Sequence, residues 1–422
     1  MDKRRILVIV TVAFLAAAAV MAWAFRSPPP ASVDRVIVAT GLAWPVSFAF
    51  VRGAGASGLA AGTIVYAERL TGNVRTISRG QVSAPVANVS VVASGEQGLL
   101  GLALDPSFPT APWVYLYHTY VNGTTGRDTN RVVRVWLGPT APPGPPPIQV
   151  VLDGIPAAGN HNGGILGFAP DGTLFITTGD ASVPDNAQDN ASLSGKVLRV
   201  NPNGSVPPSN PIPGSLVYTL GHRNVFGLAF EPGTGTPYVS ENGPDRNDEV
   251  NVLRPGRNYG WPFGTGPLGD PRFVDPILTY PSEIAPTGLA FYASAFTDEW
   301  QDDLFLGDWN RGDLHRLLLA GPGGPVVAAD TVVDSIGPNG ILDVEDGGDG
   351  YLYYSSGDAI YRVMKSLEIP DERIRFLGAP VVVWLLLGVA SLFFTAFLLI
   401  VVTQDRRGRP PPEAPPPVPP PR

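Results

Sequence analysis

The stretch GILGFAPDGTLFITTGD, Gly164 to Asp180, decides the fold. It is a short apolar run, a Pro170-Asp171-Gly172 turn and a second apolar run, which is how a tight β-hairpin is written. Five other segments repeat the first run: PVSFAF from Pro45, GLLGLALDP from Gly98, FGLAFEPGTG from Phe226, TGLAFYASAF from Thr287 and GILDVEDGGDG from Gly340. Each is followed by a second strand-like run (GTIVYAE, WVYLYHTY, TPYVSEN, DLFLGDW, YLYYSSG), and several by a third, such as NVRTIS, RVVRVWL, KVLRVN and DLHRLLL. No sustained helical periodicity interrupts them. The starts lie about fifty to sixty-five residues apart, the spacing of propeller blades with elaborated loops. Six units predict an all-β, six-bladed β-propeller over residues 34–364. A pair of β-sandwiches is the competing architecture, and the even repetition counts against it.

The 422-residue chain has 44% apolar residues, only 16% charged ones, and 49 glycines and 46 prolines. That composition suits a large core of short strands joined by tight turns. A net charge of -8 argues against nucleic acid as a partner, and the absence of cysteine removes disulfides and thiolate metal sites.

The ends read differently from the middle. Residues 1–27 are a signal peptide or an N-terminal membrane anchor, with Ile6 to Phe25 uncharged and Ala22-Trp-Ala24 matching a small-x-small cleavage site. Residues 28–33 and 365–379 are linkers. Pro380 to Val402 is predicted to be a transmembrane helix, and residues 403–422 a proline-rich cytoplasmic tail containing Arg406, Arg407 and Arg409. Basic residues flank both spans on one side, so the propeller is expected to be extracytoplasmic and tethered to a membrane.

Propeller topology brings equivalent points of the repeats to one face around the central axis. Four polar clusters there are candidates for chemistry. GNHNGG places His161 just before the third repeat, as a general base or as a loop histidine. Asp180 ends the hairpin, where it orients His161 or closes a turn. GHRNVFGLAF sets Arg223 and Asn224 before the fourth repeat, a cationic fork and an amide suited to a polar ligand or an oxyanion. In ENGPDRNDEV, Asp245, Asp248 and Glu249 offer the oxygen density that calcium needs, or an acidic surface loop. Glu96 and Gln97 precede the second repeat.

GEQGLLGLALDP, HNGGILGFAPDGTLFITTGD, SLSGKVLRVNPNG, VYTLGHRNVFGLAFEP and SENGPDRNDEVNVLRPGRNYGWP stand in order and at blade spacing. Together they resemble the glucose/sorbosone dehydrogenase family, quinoprotein sugar dehydrogenases on a six-bladed propeller, from about Val33 to Met364. The resemblance implies that a hydride passes from the anomeric carbon of an aldose to pyrroloquinoline quinone while His161 abstracts the hydroxyl proton. It makes Asp180 the support of His161 and Arg223 a catalytic contact. Glu96, standing where a glutamine is frequent, and Asn224 become cofactor-binding residues. It gives one Ca2+ to the carbonyls of Gly243 and Pro244, and a second, structural one to Glu249 and Tyr259. Two arginines of an Arg-x-Arg-Asp segment are replaced by Gly340 and Leu342, and a lysine of the fifth repeat by Asn310, so that neighbouring Arg311 is expected to substitute. Two other readings follow from those replacements and from the calcium-like loop. One is a non-catalytic, calcium-stabilised propeller that binds a glycan or protein, and the other a lactone hydrolase. The resemblance leaves the electron acceptor open.

Overall fold

The computed structural model describes residues 33–139, 148–294, 300–333 and 340–365, with the backbone of 375–376 and 379–380. Ser32–Lys365 form one compact unit. In the second unit, made of Met1–Ala31 and Ser366–Arg422, the described part is a ladder pairing Arg375 with Pro380 and Phe376 with Ala379. The expected signal or anchor segment, transmembrane helix and proline-rich tail lie outside the described residues. No helix among the described residues is long and apolar enough to cross a membrane.

The unit Ser32–Lys365 is a six-bladed propeller. Each repeat start becomes the inner strand of an antiparallel sheet: Pro45–Phe50, Leu99–Leu104, Leu166–Phe168, Val225–Phe230, Pro286–Phe291 and Asp343–Asp346. Each of these touches the inner strands on either side, and Pro45–Phe50 meets Asp343–Asp346 to close the ring. In the hairpin Gly164 to Asp180, Leu166 pairs with Ile176 and Phe168 with Leu174, and the turn closes through Gly172 N to Ala169 O at 2.9 Å.

Closure draws on both ends of the unit. The first strand, Val33–Thr40, is the outer strand of blade 6, running antiparallel to Ala359–Lys365. Phe48 N donates to Asp343 Oδ2 at 2.9 Å, and Arg52 Nη1 to Gly347 O at 2.6 Å, binding blade 1 to blade 6. Sequence reading located the inner and second strands but not the outer ones, several of which are exposed and weakly patterned, such as Val326–Val333.

The core is divided among the six blade interfaces. Val65, Leu102 and Leu116 fill the first, Tyr117, Leu166 and Ile176 the second, and Phe175, Val197 and Val239 the third. Val250, Leu289 and Leu306, then Phe305, Val344 and Tyr354, then Phe48, Tyr66 and Ile360 complete the circuit. A blade therefore buries both faces, which explains why second strands such as Ile64–Glu68 and Pro237–Glu241 are buried throughout instead of alternating.

Near the axis the inner strands come too close for side chains. A Cβ on Gly101 would sit 2.0 Å from Gly164 O, and one on Gly227 2.3 Å from Thr287 O. This close approach is what the repeated glycines of GLLGLA and FGLAF encode. Gly101→Ala, which meets backbone that cannot turn aside, is expected to cost about 1–3 kcal/mol. A urea midpoint equal to that of the parent chain would show that blades 2 and 3 can part to admit a methyl group.

The acidic segment ENGPDRNDEV is not the single oxygen-rich loop expected from its composition. Asp248–Val252 is the third strand of blade 4 and is wholly buried. Asp248 is a cap: Oδ1 accepts from Gly243 N at 2.7 Å, and Oδ2 from Ile284 N and Ala285 N at 2.6 and 2.9 Å. Asp245 stands in solvent beside Arg246.

Candidate active site

The loops that follow second strands and precede inner strands meet around a cavity of about 390 Å³. His161, Glu96, Arg223, Asn224 and Gly243 line it, together with Trp44, Arg69, Glu283, Trp309, Asn310 and Leu342. Residues dispersed from the first blade to the sixth thus share one space.

Acid–histidine pairs recur around the ring, and their settings differ. Asp180 pairs with His161, Glu241 with His222 and Asp308 with His315, each at 2.8 Å. His222 is sealed, with Nε2 on Thr219 Oγ1 at 2.9 Å and its ring stacked on Tyr259. Asp308 caps a turn through Arg311 N and Gly312 N, so its histidine completes a structural knot. His118 has both ring nitrogens engaged, by Ser90 O and by Arg131 Nε at 3.0 Å. Burial and the Arg131 charge push it down to about 4. Of the four histidines only His161 lines the cavity.

Asp180 prepares that imidazole. Its carboxylate, 1% exposed, accepts from Ser182 N at 2.8 Å and from the Trp261 indole at 2.9 Å besides meeting His161 Nδ1. A buried carboxylate that already accepts from Ser182 N and the Trp261 indole is placed as an acceptor toward the imidazole as well, an arrangement that assigns the proton to His161 Nδ1 and leaves Nε2 as the basic atom. The backbone is strained in the same place: His161, Ala181 and Ser182 have φ of 58°, 54° and 59°. His161 N donating to Glu96 Oε2 at 2.7 Å and Ala181 N donating to His161 O at 3.0 Å hold that conformation.

On the adjoining wall, Asn224 Oδ1 accepts from Gly163 N, and Asp180 N donates to Arg223 O at 2.7 Å. The Arg223 guanidinium donates to Asn242 O at 3.0 Å and lies over Trp261. Trp261 therefore touches both the carboxylate behind the base and the cation beside it. Lys196 supports this loop from within: its fully buried ammonium donates to the carbonyls of Asn186, Ala187 and Ser194 at 2.7, 3.2 and 2.8 Å. Asn186 Nδ2 in turn donates to Asp180 O at 3.0 Å.

His161, Asp180, Arg223, Asn224 and Glu96 are thus brought together. Arg311 is not: it is absent from the cavity lining, and its guanidinium turns to Ser282 Oγ at 3.3 Å because its backbone N–H is tied to Asp308. Of the residues assigned to metal, Gly243 lines the cavity, whereas Pro244, Glu249 and Tyr259 do not. The Tyr259 hydroxyl is committed to Val252 O and Arg254 N, which leaves its carbonyl as the atom to offer a cation.

Sequence reading missed Trp44, Arg69, Trp261, Trp309 and Lys196. Arg69, Asn242 and Trp309 each follow the last residue of a second strand, so the repeat that located His161 also marks them.

The cavity's donors suit the reactive end of a quinone, and a buried polar atom without an acceptor, Arg69 Nε, lies in a residue of its wall. Arg69 and Arg223 are the guanidiniums of the lining, against the three carboxylates that pyrroloquinoline quinone carries, so these residues would hold that group with fewer ion pairs than it has charges. A cation also fits beside Glu249. Burial, and then the Glu241 charge, push its carboxyl up to about 7, and the buried Asn251, which donates to Glu249 Oε2, has an Oδ1 without a donor.

The model of the glucose/sorbosone dehydrogenase family matches residues 54–363. The chain is similar to an aldose sugar dehydrogenase of Escherichia coli, 29% identical over 67% of this chain and 81% of that one. Among solved structures it is similar to an oxidoreductase of Thermus thermophilus, 37% identical with a TM-score of 0.69, covering 79% of this chain and 100% of the other. It is also similar to the aldose sugar dehydrogenase of Streptomyces coelicolor in its PQQ-bound form, 30% identical with a TM-score of 0.67, covering 80% of this chain and 99% of that one.

Proposed function

The chain belongs to the glucose/sorbosone dehydrogenase family, and from that we propose that it is a sugar oxidoreductase that oxidises the anomeric CH–OH of an aldose with pyrroloquinoline quinone as acceptor. The observation that carries the reading is the His161–Asp180 pair, a 2.8 Å contact from a buried carboxylate to the one histidine lining the cavity. When bound, the quinone takes up the hydride. His161 Nε2 removes the hydroxyl proton, and Asp180 holds the imidazole and stabilises the imidazolium it becomes. Arg223 and Asn224 orient the ring oxygens, Arg223 adding a positive charge where negative charge develops. Glu96 keeps the His161 backbone in its strained conformation. The propeller works outside the cytoplasm, tethered by Pro380 to Val402, a reading supported by the hydropathy and basic flanks of the sequence.

Calcium would be held in two places, one by the carbonyl of Gly243, which lines the cavity, with that of the adjacent Pro244, and the other by Glu249 with the Tyr259 carbonyl, away from the cavity. Adding millimolar calcium to the chelator-treated chain is expected to raise Tm by several degrees, and Glu249→Gln to abolish most of that rise. A Tm that ignores calcium removes the structural site. The catalytic reading is tested with the full-length chain, quinone and calcium, by following dye reduction with a panel of aldoses. Absence of quinone binding at micromolar concentration would overturn it. A second reading, a non-catalytic binding propeller, is favoured by Gly340, Leu342 and Asn310, and it requires that His161 be dispensable for ligand binding.

A further inference from the structure

One wall of the cavity is built from indoles. Trp44 and Trp309 both line it, with ring centroids 5.5 Å apart and planes inclined at 32°. Trp44 is clamped in a positive-φ conformation, φ 56°, by Trp44 N donating to Gly357 O and Arg69 N donating to Trp44 O. The Arg69 guanidinium lies 4.7 Å from its ring centroid, and the N–H at Nη1 is committed to Gly95 O. Trp309 is held by its backbone N–H, which donates to Ala285 O, and its ring is seated on Gly340. A Cβ on Gly340, φ 53°, would lie 2.5 Å from Trp309 Cε3 and equally close to Trp309 O. No side chain can therefore stand at 340 while Trp309 keeps its place; the glycine and the indole form one unit.

The charges of the lining agree with this. Its cations are Arg69 and Arg223, each already donating to a backbone carbonyl, and they are opposed by the carboxylates of Glu96 and Glu283. Leu342 adds an apolar surface, and Arg311 points elsewhere. Such a lining has little uncompensated positive charge for a polyanion, and two neighbouring indoles belong to it. We propose that the Trp44–Trp309 wall, fixed by Gly340, holds the quinone by stacking on its ring system, so that affinity comes from the ring face more than from its carboxylates; this rests on the function proposed above. Dispersion and stacking persist in salt, whereas ion pairs open to solvent are screened.

The test is a titration of the full-length chain with pyrroloquinoline quinone at constant calcium, followed by quenching of indole fluorescence and by calorimetry. In the parent chain Kd is expected to rise less than about threefold between about 0.05 M and about 0.5 M NaCl. Trp309→Ala is expected to weaken binding at least about tenfold, and Trp309→Phe to stay within about threefold of the parent. A salt-induced weakening beyond tenfold in the parent, or a Trp309→Ala chain that binds as the parent does, overturns the proposal. Failure of the parent chain to bind the quinone overturns instead the functional reading on which it rests. The salt series needs no variant, so a misfolded substitution does not decide the outcome.

Discussion

His161→Asn is expected to lower quinone-dependent aldose oxidation by about 10²–10⁴-fold, the range for losing a positioned general base, with Tm nearly unchanged. Asparagine is chosen on structural grounds. It tolerates the left-handed backbone that His161 adopts at φ 58°, and its amide can donate to Asp180 Oδ1 as Nδ1 does. What it lacks is a basic atom at the position of Nε2. The stabilising contacts and the proton acceptor are thereby separated, and kcat measured by dye reduction reads the second alone. A variant that turns over within a few-fold of the parent would place the base elsewhere and return His161 to a loop-holding role.

Lys196→Met is expected to destabilise the propeller by about 2–4 kcal/mol, read as a lower Tm and urea midpoint. Methionine fills the space but donates nothing to the carbonyls of Asn186, Ala187 and Ser194, at a side chain with no surface exposed to solvent. Burial pulls the lysine down to about 8, while three carbonyl acceptors favour its charged form. Because Asn186 also grips Asp180 O, the loop behind the base loosens with it. Activity should therefore fall more steeply than the folded fraction does. A variant as stable as the parent would mean that the loop finds other donors.

How much was legible follows from what kind of signal each residue leaves. Inner and second strands are written as repeated apolar runs with glycine at the axis, and all six were found. Asp248 was read with Asp245 and Glu249 as part of one oxygen-rich loop because three acidic residues follow the Gly243-Pro244 bend. Asp248 is instead buried in a strand whose backbone neighbours satisfy its carboxylate. Arg311 was read as a replacement cation from its adjacency to Asn310, but the Asp308 cap fixes its backbone and sends the side chain outward. Trp261 left no signal of its own, since the Asp180 carboxylate it meets is 81 residues away in the chain.

The sequence by itself determined the number of blades, the order of their strands and the loops that face the centre, because those depend on local periodicity and turn chemistry repeated six times. Which histidine is open to a ligand was decided only by tertiary structure. His161, His222 and His315 all meet an acid at the same distance, and their difference lies in what surrounds each ring in the folded propeller. The same holds for Trp309, whose place depends on a glycine from the next blade. Hydrogen bonds and steric exclusion between distant segments exist only once the ring has closed, and they convert a repeated motif into one site.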